Sequence, residues 1–206
     1  MNYEEGLQKV QEANEQLVAA NRAVAQVIRE VYIYQWNWYL SIAMVFIPWV
    51  LWAIFRKKDS SARLLVGGLF IMIFSAVLDT IGIENGLWAF PVKAIPSPTL
   101  SFSFRLSVLP VLAMFMMQIK PAVNPFIKAI LFSGTSAFIG LPLLSMIDLY
   151  KKINWHLSYS FMILIVVYLV AHWLTHRNSF HSLGSTYQGK EMEVDLNFLR
   201  RREKIR

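Results

Sequence analysis

The chain has 206 residues, of which 56% are hydrophobic and 16% charged, with a formal net charge of +7 at pH 7. A soluble globular domain carries about a quarter charged residues, so this composition excludes an ordinary soluble protein. The chain contains no cysteine, which excludes disulfides, thiolate catalysis and cysteine-ligated metal sites.

Residues 1–37 form the first predicted element, an amphipathic arm outside the membrane. A heptad repeat runs through this arm without a slip, which is typical of a coiled coil. Asn14 and Asn21 occupy a positions of this repeat, where asparagine costs stability but sets the register of the paired helices. The pattern therefore predicts a parallel homo-oligomer. Packing on another membrane protein and lying on the bilayer surface are the alternatives. The predicted oligomerisation residues are Leu7, Val10, Asn14, Leu17, Asn21, Val24, Ile28 and Val31.

The arm is predicted to continue into the membrane as a single helix. No proline or glycine occurs between Gln8 and Pro48, so nothing in the sequence obviously interrupts the helix. Tyrosine and tryptophan residues at 32–39 are typical of the aromatic belt at the membrane surface.

Residues 38–176 are predicted to form an all-α, polytopic membrane domain with about five transmembrane helices. A crossing needs about 20 mostly apolar residues, and backbone groups that face lipid must be paired within a helix. The third predicted span has the weakest evidence of the five, because it contains Arg105 and Pro110. The predicted spans are 39–55, 64–83, 100–118, 126–147 and 155–175.

The distribution of lysine and arginine predicts the orientation of these helices. Most of these residues lie in the segment RKKDSSAR at 56–63 and in the tail at 177–206, and basic loops stay in the cytoplasm. The chain is therefore predicted to be a multi-pass protein of the cell membrane, with its N-terminus outside and its C-terminus cytoplasmic. The basic tail is expected to contact anionic lipids rather than nucleic acid.

Two charged residues within the predicted spans are functional candidates, because burying a charge in a membrane is costly. Asp79 and Arg105 lie at the same depth, about one turn below the outer ends of neighbouring antiparallel helices. They are predicted to form an ion pair, which either locks the two helices together or lines an outer vestibule. Glu84 and Lys93 are predicted to lie on the same side of the membrane.

A loop rich in proline and glycine connects these two spans. Trp88, Phe90 and Pro91 are predicted to belong to an interfacial hairpin that covers the outer ends of the helices, with the aromatic rings at the level of the headgroups.

The stretch LWAFPVKAIPSPTLSFSFRLSVLPVLAMFMMQ resembles the central signature of a family of small multi-pass membrane proteins from spore-forming Gram-positive bacteria. Arg105 stands near a position where that pattern often has an acidic residue. The resemblance implies a membrane location and no particular activity. The matching positions are Trp88, Pro91, Lys93, Pro96, Leu109, Pro110 and Gln118.

The sequence offers little that points to catalysis. His172 and His176 have the spacing that lets two imidazoles share a metal, but contact with lipid phosphate is the commoner role, so neither a metal nor a cofactor is predicted. No paired catalytic carboxylates and no Ser/His/Asp set occur, so the chain is not predicted to be an enzyme. The leading hypothesis is a self-associating structural or partner-binding membrane protein. A channel or transporter is the alternative, and an enzyme acting on lipids or isoprenoids comes third.

Overall fold

The computed structural model describes residues 1–95 and 103–177, and most of these residues are helical. Three short π-helical segments adjoin the α-helices: Ile28–Tyr32, Phe104–Val108 and Thr135–Gly140. The α-helices are α1 (Tyr3–Val27), α2 (Trp36–Phe55), α3 (Ser61–Glu84), α4 (Leu109–Gln118), α5 (Pro125–Gly134), α6 (Leu141–Met146) and α7 (Leu157–Thr175). Two short strands, β1 (Trp88–Ala89) and β2 (Lys151–Lys152), pair antiparallel.

Four helices in the described ranges are long and apolar enough to cross a membrane. They are Trp36–Phe55, Lys58–Glu84, Pro125–Met146 and Leu157–Thr175. The remaining predicted span, 100–118, corresponds to a shorter apolar helix, Phe104–Gln118. The all-α prediction is therefore confirmed in its coarser form: the described chain is mostly helical, with four helices long and apolar enough to cross a membrane.

α3 packs through one face made largely of small residues. Its buried residues recur every three or four positions, which places them on one side of a helix. A Cβ on Gly67 would stand 2.6 Å from Thr175 Cγ2, and one on Gly68 would stand 2.7 Å from Met114 Sδ. These glycines therefore let α4 and α7 approach α3 closely, as small residues do in membrane bundles. The buried face comprises Ser61, Leu64, Gly67, Gly68, Ile71, Ser75, Asp79 and Gly82.

The Phe104–Gln118 helix is buried deeply in the bundle. Leu109, Ala113 and Met114 have no exposed surface. Pro110 lacks the N–H that would donate to the Leu106 carbonyl in an α-helix, and the Trp49 indole donates to that oxygen instead, at 3.2 Å. A neighbouring helix thus satisfies a carbonyl that the proline leaves open.

Hydrogen bonds join α2 to the Phe104–Gln118 helix along its whole length. The Ser41 and Ser103 hydroxyls lie 2.6 Å apart at one end, and Ser107 donates to the Val45 carbonyl at 2.8 Å in the middle. At the other end, the Gln118 side chain donates to the Phe55 carbonyl at 2.9 Å. The two helices therefore run parallel and in register.

The prediction of one continuous helix from the arm into the first span is wrong. The helix ends at Tyr32, and Tyr34 has a φ of 71°, in the left-handed region. The residues at 31–34 are all β-branched or aromatic, and such side chains lose rotamer freedom in a helix. The helix can therefore end here without a glycine or proline. α2 then starts afresh at Trp36.

The predicted seam also ends earlier than the heptad pattern indicated. Ile28 is 1% exposed and packs within its own chain, so it is not available to a second copy. The π-helical segment Ile28–Tyr32 adds a residue to the turn and rotates Val31 away from the line of the preceding d residues. The part of the predicted seam that remains on α1, here called the stripe, has Asn21 half-buried and its other residues exposed. It comprises Leu7, Val10, Asn14, Leu17, Asn21 and Val24.

Candidate functional site

The connections after α3 and before α7 join at one end of the bundle, here called the hairpin end. β1 pairs with β2, with Trp88 opposite Lys152. The Leu87 carbonyl accepts hydrogen bonds from the amides of Ile153 and Asn154, both at 3.0 Å. The Val92 amide donates to the Asp148 carbonyl at 3.2 Å. These backbone bonds hold the two connections together as a cap.

The structure brings Asp79 and Arg105 together beneath this cap. Arg105 Nε lies 3.1 Å from Asp79 Oδ1, and the side chains are 8% and 0% exposed. The Arg105 N–H makes no aligned hydrogen bond, so the contact is a Coulombic pair. Asp79 Oδ1 also accepts a hydrogen bond from the Trp88 indole at 3.3 Å, whereas Oδ2 has no hydrogen-bond partner within the described part of the chain.

The position of Trp88 depends on a glycine in the last turn of α3. A Cβ on Gly82 would overlap the Trp88 ring, so the ring lies directly on the helix backbone. The Trp88 ring also meets the Trp155 ring edge-on, with centroids 4.9 Å apart. Gly82 therefore allows Trp88 to reach Asp79 and close the site.

The structure corrects the prediction that this loop displays its aromatic rings to the headgroups. Trp88 and Phe90 are 5% and 4% exposed and belong to the hydrophobic core, and Pro91 is half-buried. Packing on Gly82 draws Trp88 inward, and Phe90 lies against Tyr150, with ring centroids 5.8 Å apart. The aromatic residues of the loop thus close the bundle instead of anchoring it to lipid.

The other two charged residues of the predicted cluster have different surroundings. Glu84 is exposed at the end of α3. Lys93 is buried, and burial lowers its pKa from 10.5 to about 8, although the nearby Asp79 carboxylate acts in the opposite direction. Burial likewise raises the pKa of Tyr150 to about 12. The site therefore consists of Asp79, Arg105 and Trp88, with Lys93 close by.

Lys128 is a buried charged side chain that the sequence analysis did not single out. It is 5% exposed, and its ammonium donates to the Ile119 carbonyl at 2.8 Å, just past the C-terminal end of α4. A cation at that end of a helix satisfies carbonyls and interacts favourably with the helix dipole. The sequence does contain a signal for this buried charge, because Lys128 lies among apolar residues within a predicted span.

The two histidines lie apart from this site. The His172 ring stacks on Tyr168 of α7, with centroids 6.4 Å apart, and His176 follows the end of that helix. Residues 1–95 and 103–177 contain no group of three or more metal-ligating side chains. Pro96 of the family signature and residues 178–206 of the predicted tail lie outside the described residues.

No protein-family model, curated protein or solved structure matches this chain. The buried ion pair of Asp79 and Arg105 joins α3 to the Phe104–Gln118 helix. Trp88, which packs on Gly82, covers this pair and joins it to the cap. Such an arrangement fixes helices relative to one another and shields the charges from lipid.

Proposed function

We propose that this protein is a self-associating structural component of a cell membrane. Its N-terminal arms assemble in parallel outside the membrane, and its helical bundle anchors them. The protein forms homo-oligomers and is not an enzyme. The observation that carries this proposal is the apolar stripe of α1, which no other part of the described chain covers.

The exposed apolar residues of the bundle lie on helices apolar enough to face lipid, whereas those of the stripe lie on the arm, which is predicted to be outside the membrane. Leu7, Val10 and Leu17 are 54%, 60% and 57% exposed, and α1 contains no buried residue. A capping box formed by Asn2 and Glu5 stabilises the beginning of this helix. A well-capped helix with uncovered a and d residues is suited to pairing with copies of itself.

Membrane insertion favours a parallel arrangement of the arms. Every copy of the chain enters the bilayer just after the arm, at the start of α2. Arms on one side of a membrane are therefore aligned with the same polarity, and Asn14 and Asn21 meet their equivalents across the seam. Buried asparagine pairs at a positions favour a single register.

The proposed topology has five crossings, with the Phe104–Gln118 helix as the third. This helix is about 22 Å long at 1.5 Å per residue, which is short for a crossing. Its hydrogen bonds to α2 begin at Ser41 and end at Phe55, so it covers most of the depth of a full-length membrane helix. Five crossings, together with the basic residues, favour an external arm and a cytoplasmic tail.

The buried ion pair also supports a structural role. Trp88 covers Asp79, and the cap is held by backbone hydrogen bonds, as expected of a lock between helices. Transport through an outer vestibule would require these charges to face water, whereas both side chains are nearly inaccessible.

Cysteine cross-linking in this cysteine-free chain tests the seam. Leu17→Cys places a thiol at a d position, where parallel copies bring it to its equivalent. Ala19→Cys, on the opposite face of α1, is the matched control. A short bis-maleimide applied to membranes should cross-link the Leu17→Cys protein into dimers and leave the Ala19→Cys protein mostly monomeric.

A disruptive variant provides the second arm of this test. Leu17→Asp places like charges into the seam at one level, so the oligomer observed by native mass spectrometry should dissociate. Equal cross-linking at both positions, or an unchanged oligomer in Leu17→Asp, would show that α1 is not the seam.

A further inference from the structure

A group of exposed cations surrounds the end of the bundle opposite the hairpin end. They come from two segments far apart in sequence, the turn between α2 and α3 and the turn after α4. We call this group the basic collar. It comprises Arg56, Lys57, Lys58, Arg63 and Lys120, all of them exposed.

The Gln118 side chain joins the two segments of the collar. Its Oε1 accepts a hydrogen bond from the Lys57 amide at 3.0 Å, and its Nε2 donates to the Phe55 carbonyl at 2.9 Å. We call these two hydrogen bonds of Gln118 the clasp. Lys120 follows Gln118 by two residues, so the clasp brings Lys120 to the Arg56–Lys58 turn. The collar is thus a feature of the tertiary structure and not one run of basic residues.

The positive charge of the collar is not balanced within the described ranges. Asp59 is the only carboxylate in either segment, and none of the collar residues forms an ion pair with a described residue. Concentrated cations of this kind attract anions from the surroundings.

The position of the collar indicates which anion is available. The Arg56 guanidinium lies over the Trp52 ring, 5.2 Å from its centroid, at the last turn of a full-length membrane helix. Tryptophan and arginine in this position are typical of the headgroup layer, where arginine and lysine extend toward lipid phosphates.

We propose that the basic collar binds the headgroup of an anionic phospholipid, held between the Arg56–Lys58 turn and Lys120. This site is separate from the tail at 177–206 and does not depend on assembly of the arms. The lipid phosphate and its negative headgroup supply the charge that the collar lacks.

The test is a native mass spectrometry titration of the full chain in mild detergent with phosphatidylglycerol or, as the neutral probe, phosphatidylcholine. The variant Lys57→Gln/Lys58→Gln/Lys120→Gln removes three charges and leaves the Gln118 hydrogen bonds in place, because Lys57 contributes its backbone amide. Each basic residue near an anionic surface strengthens binding about fivefold, so we expect about 100-fold weaker binding of phosphatidylglycerol.

Two further variants separate a formed site from general attraction. Lys151→Gln/Lys152→Gln removes exposed charges from the hairpin end and should bind phosphatidylglycerol as the wild type does. Gln118→Leu keeps every charge but releases the clasp, and should weaken binding at least fivefold. Wild-type affinity in the triple variant or in Gln118→Leu, or an equal loss in the Lys151/Lys152 variant, would overturn the proposal.

Discussion

The arm and the membrane bundle differ in where their polar residues lie. In the bundle, Asp79 and Arg105 are buried and paired within one chain. In the arm, Asn14 lies exposed on an apolar stripe that no other element within residues 1–95 and 103–177 covers. The bundle therefore pairs these two charges within one chain, whereas we propose that the arm makes its contacts with a second copy. Changes in the bundle should alter folding, and changes in the arm should alter assembly.

The largest expected effect concerns the buried ion pair. Asp79→Ala leaves Arg105 buried without its partner, and Arg105→Ala does the same to Asp79, so each should lower the free energy of unfolding by ~3–5 kcal/mol. The double variant should recover part of this loss, because neither charge is left unpaired. Denaturation of the detergent-solubilised protein measures all three. Strictly additive losses would contradict a direct interaction.

A smaller effect is expected where Trp88 lies on α3. Gly82→Ala places a methyl group against the Trp88 ring and should destabilise the fold by ~1–3 kcal/mol. Gly134→Ala is the matched control, since its Cβ would meet only Phe161, at an ordinary 3.9 Å, and alanine favours a helix over glycine. The thermal midpoint should fall for Gly82→Ala and stay level or rise for Gly134→Ala. The reverse order would show that Trp88 does not need this glycine.

The corresponding change in the arm should spare the bundle. Asn14→Ile with Asn21→Ile replaces two polar seam residues by apolar ones, which should strengthen assembly while allowing more than one oligomer. Native mass spectrometry should show a broader set of oligomers that resist dilution, and unfolding of the bundle should be unchanged. A single, weaker oligomer would indicate that these asparagines face something other than their equivalents.

The smallest expected effect is a pH dependence at the hairpin end. Because the pKa of Lys93 is lowered to about 8, the folded chain binds fewer protons than the unfolded chain between pH 8 and 10.5. The free energy of unfolding should therefore rise with pH in this window. Tyr150 has the opposite effect above pH 10, because its pKa is raised to about 12, so the useful comparison is pH 8 against pH 10. Lys93→Met should flatten this rise, and an equal rise in that variant would assign it to other groups.

Hydropathy alone predicted the membrane helices, because a bilayer imposes long apolar runs whatever their neighbours are. Residues Trp36–Phe55 and Leu157–Thr175 are recognisable as membrane helices in this way. The depth of Asp79 and Arg105 followed from the same runs, which placed both one turn from the same end of adjacent helices. Their pairing could be anticipated because an unpaired charge at that depth is costly.

Only the tertiary structure decided which surfaces are covered. Trp88 and Phe90 have the composition of an interfacial belt, yet the close approach allowed by Gly82 draws Trp88 into the core. Ile28 satisfies the heptad rule, yet packing within its own chain and a π-helical turn remove it from the predicted seam. Periodicity along a chain records which residues are apolar, but burial depends on neighbours that arrive from distant parts of the sequence. For the same reason, the meeting of Lys57 and Gln118 becomes visible only in the folded chain.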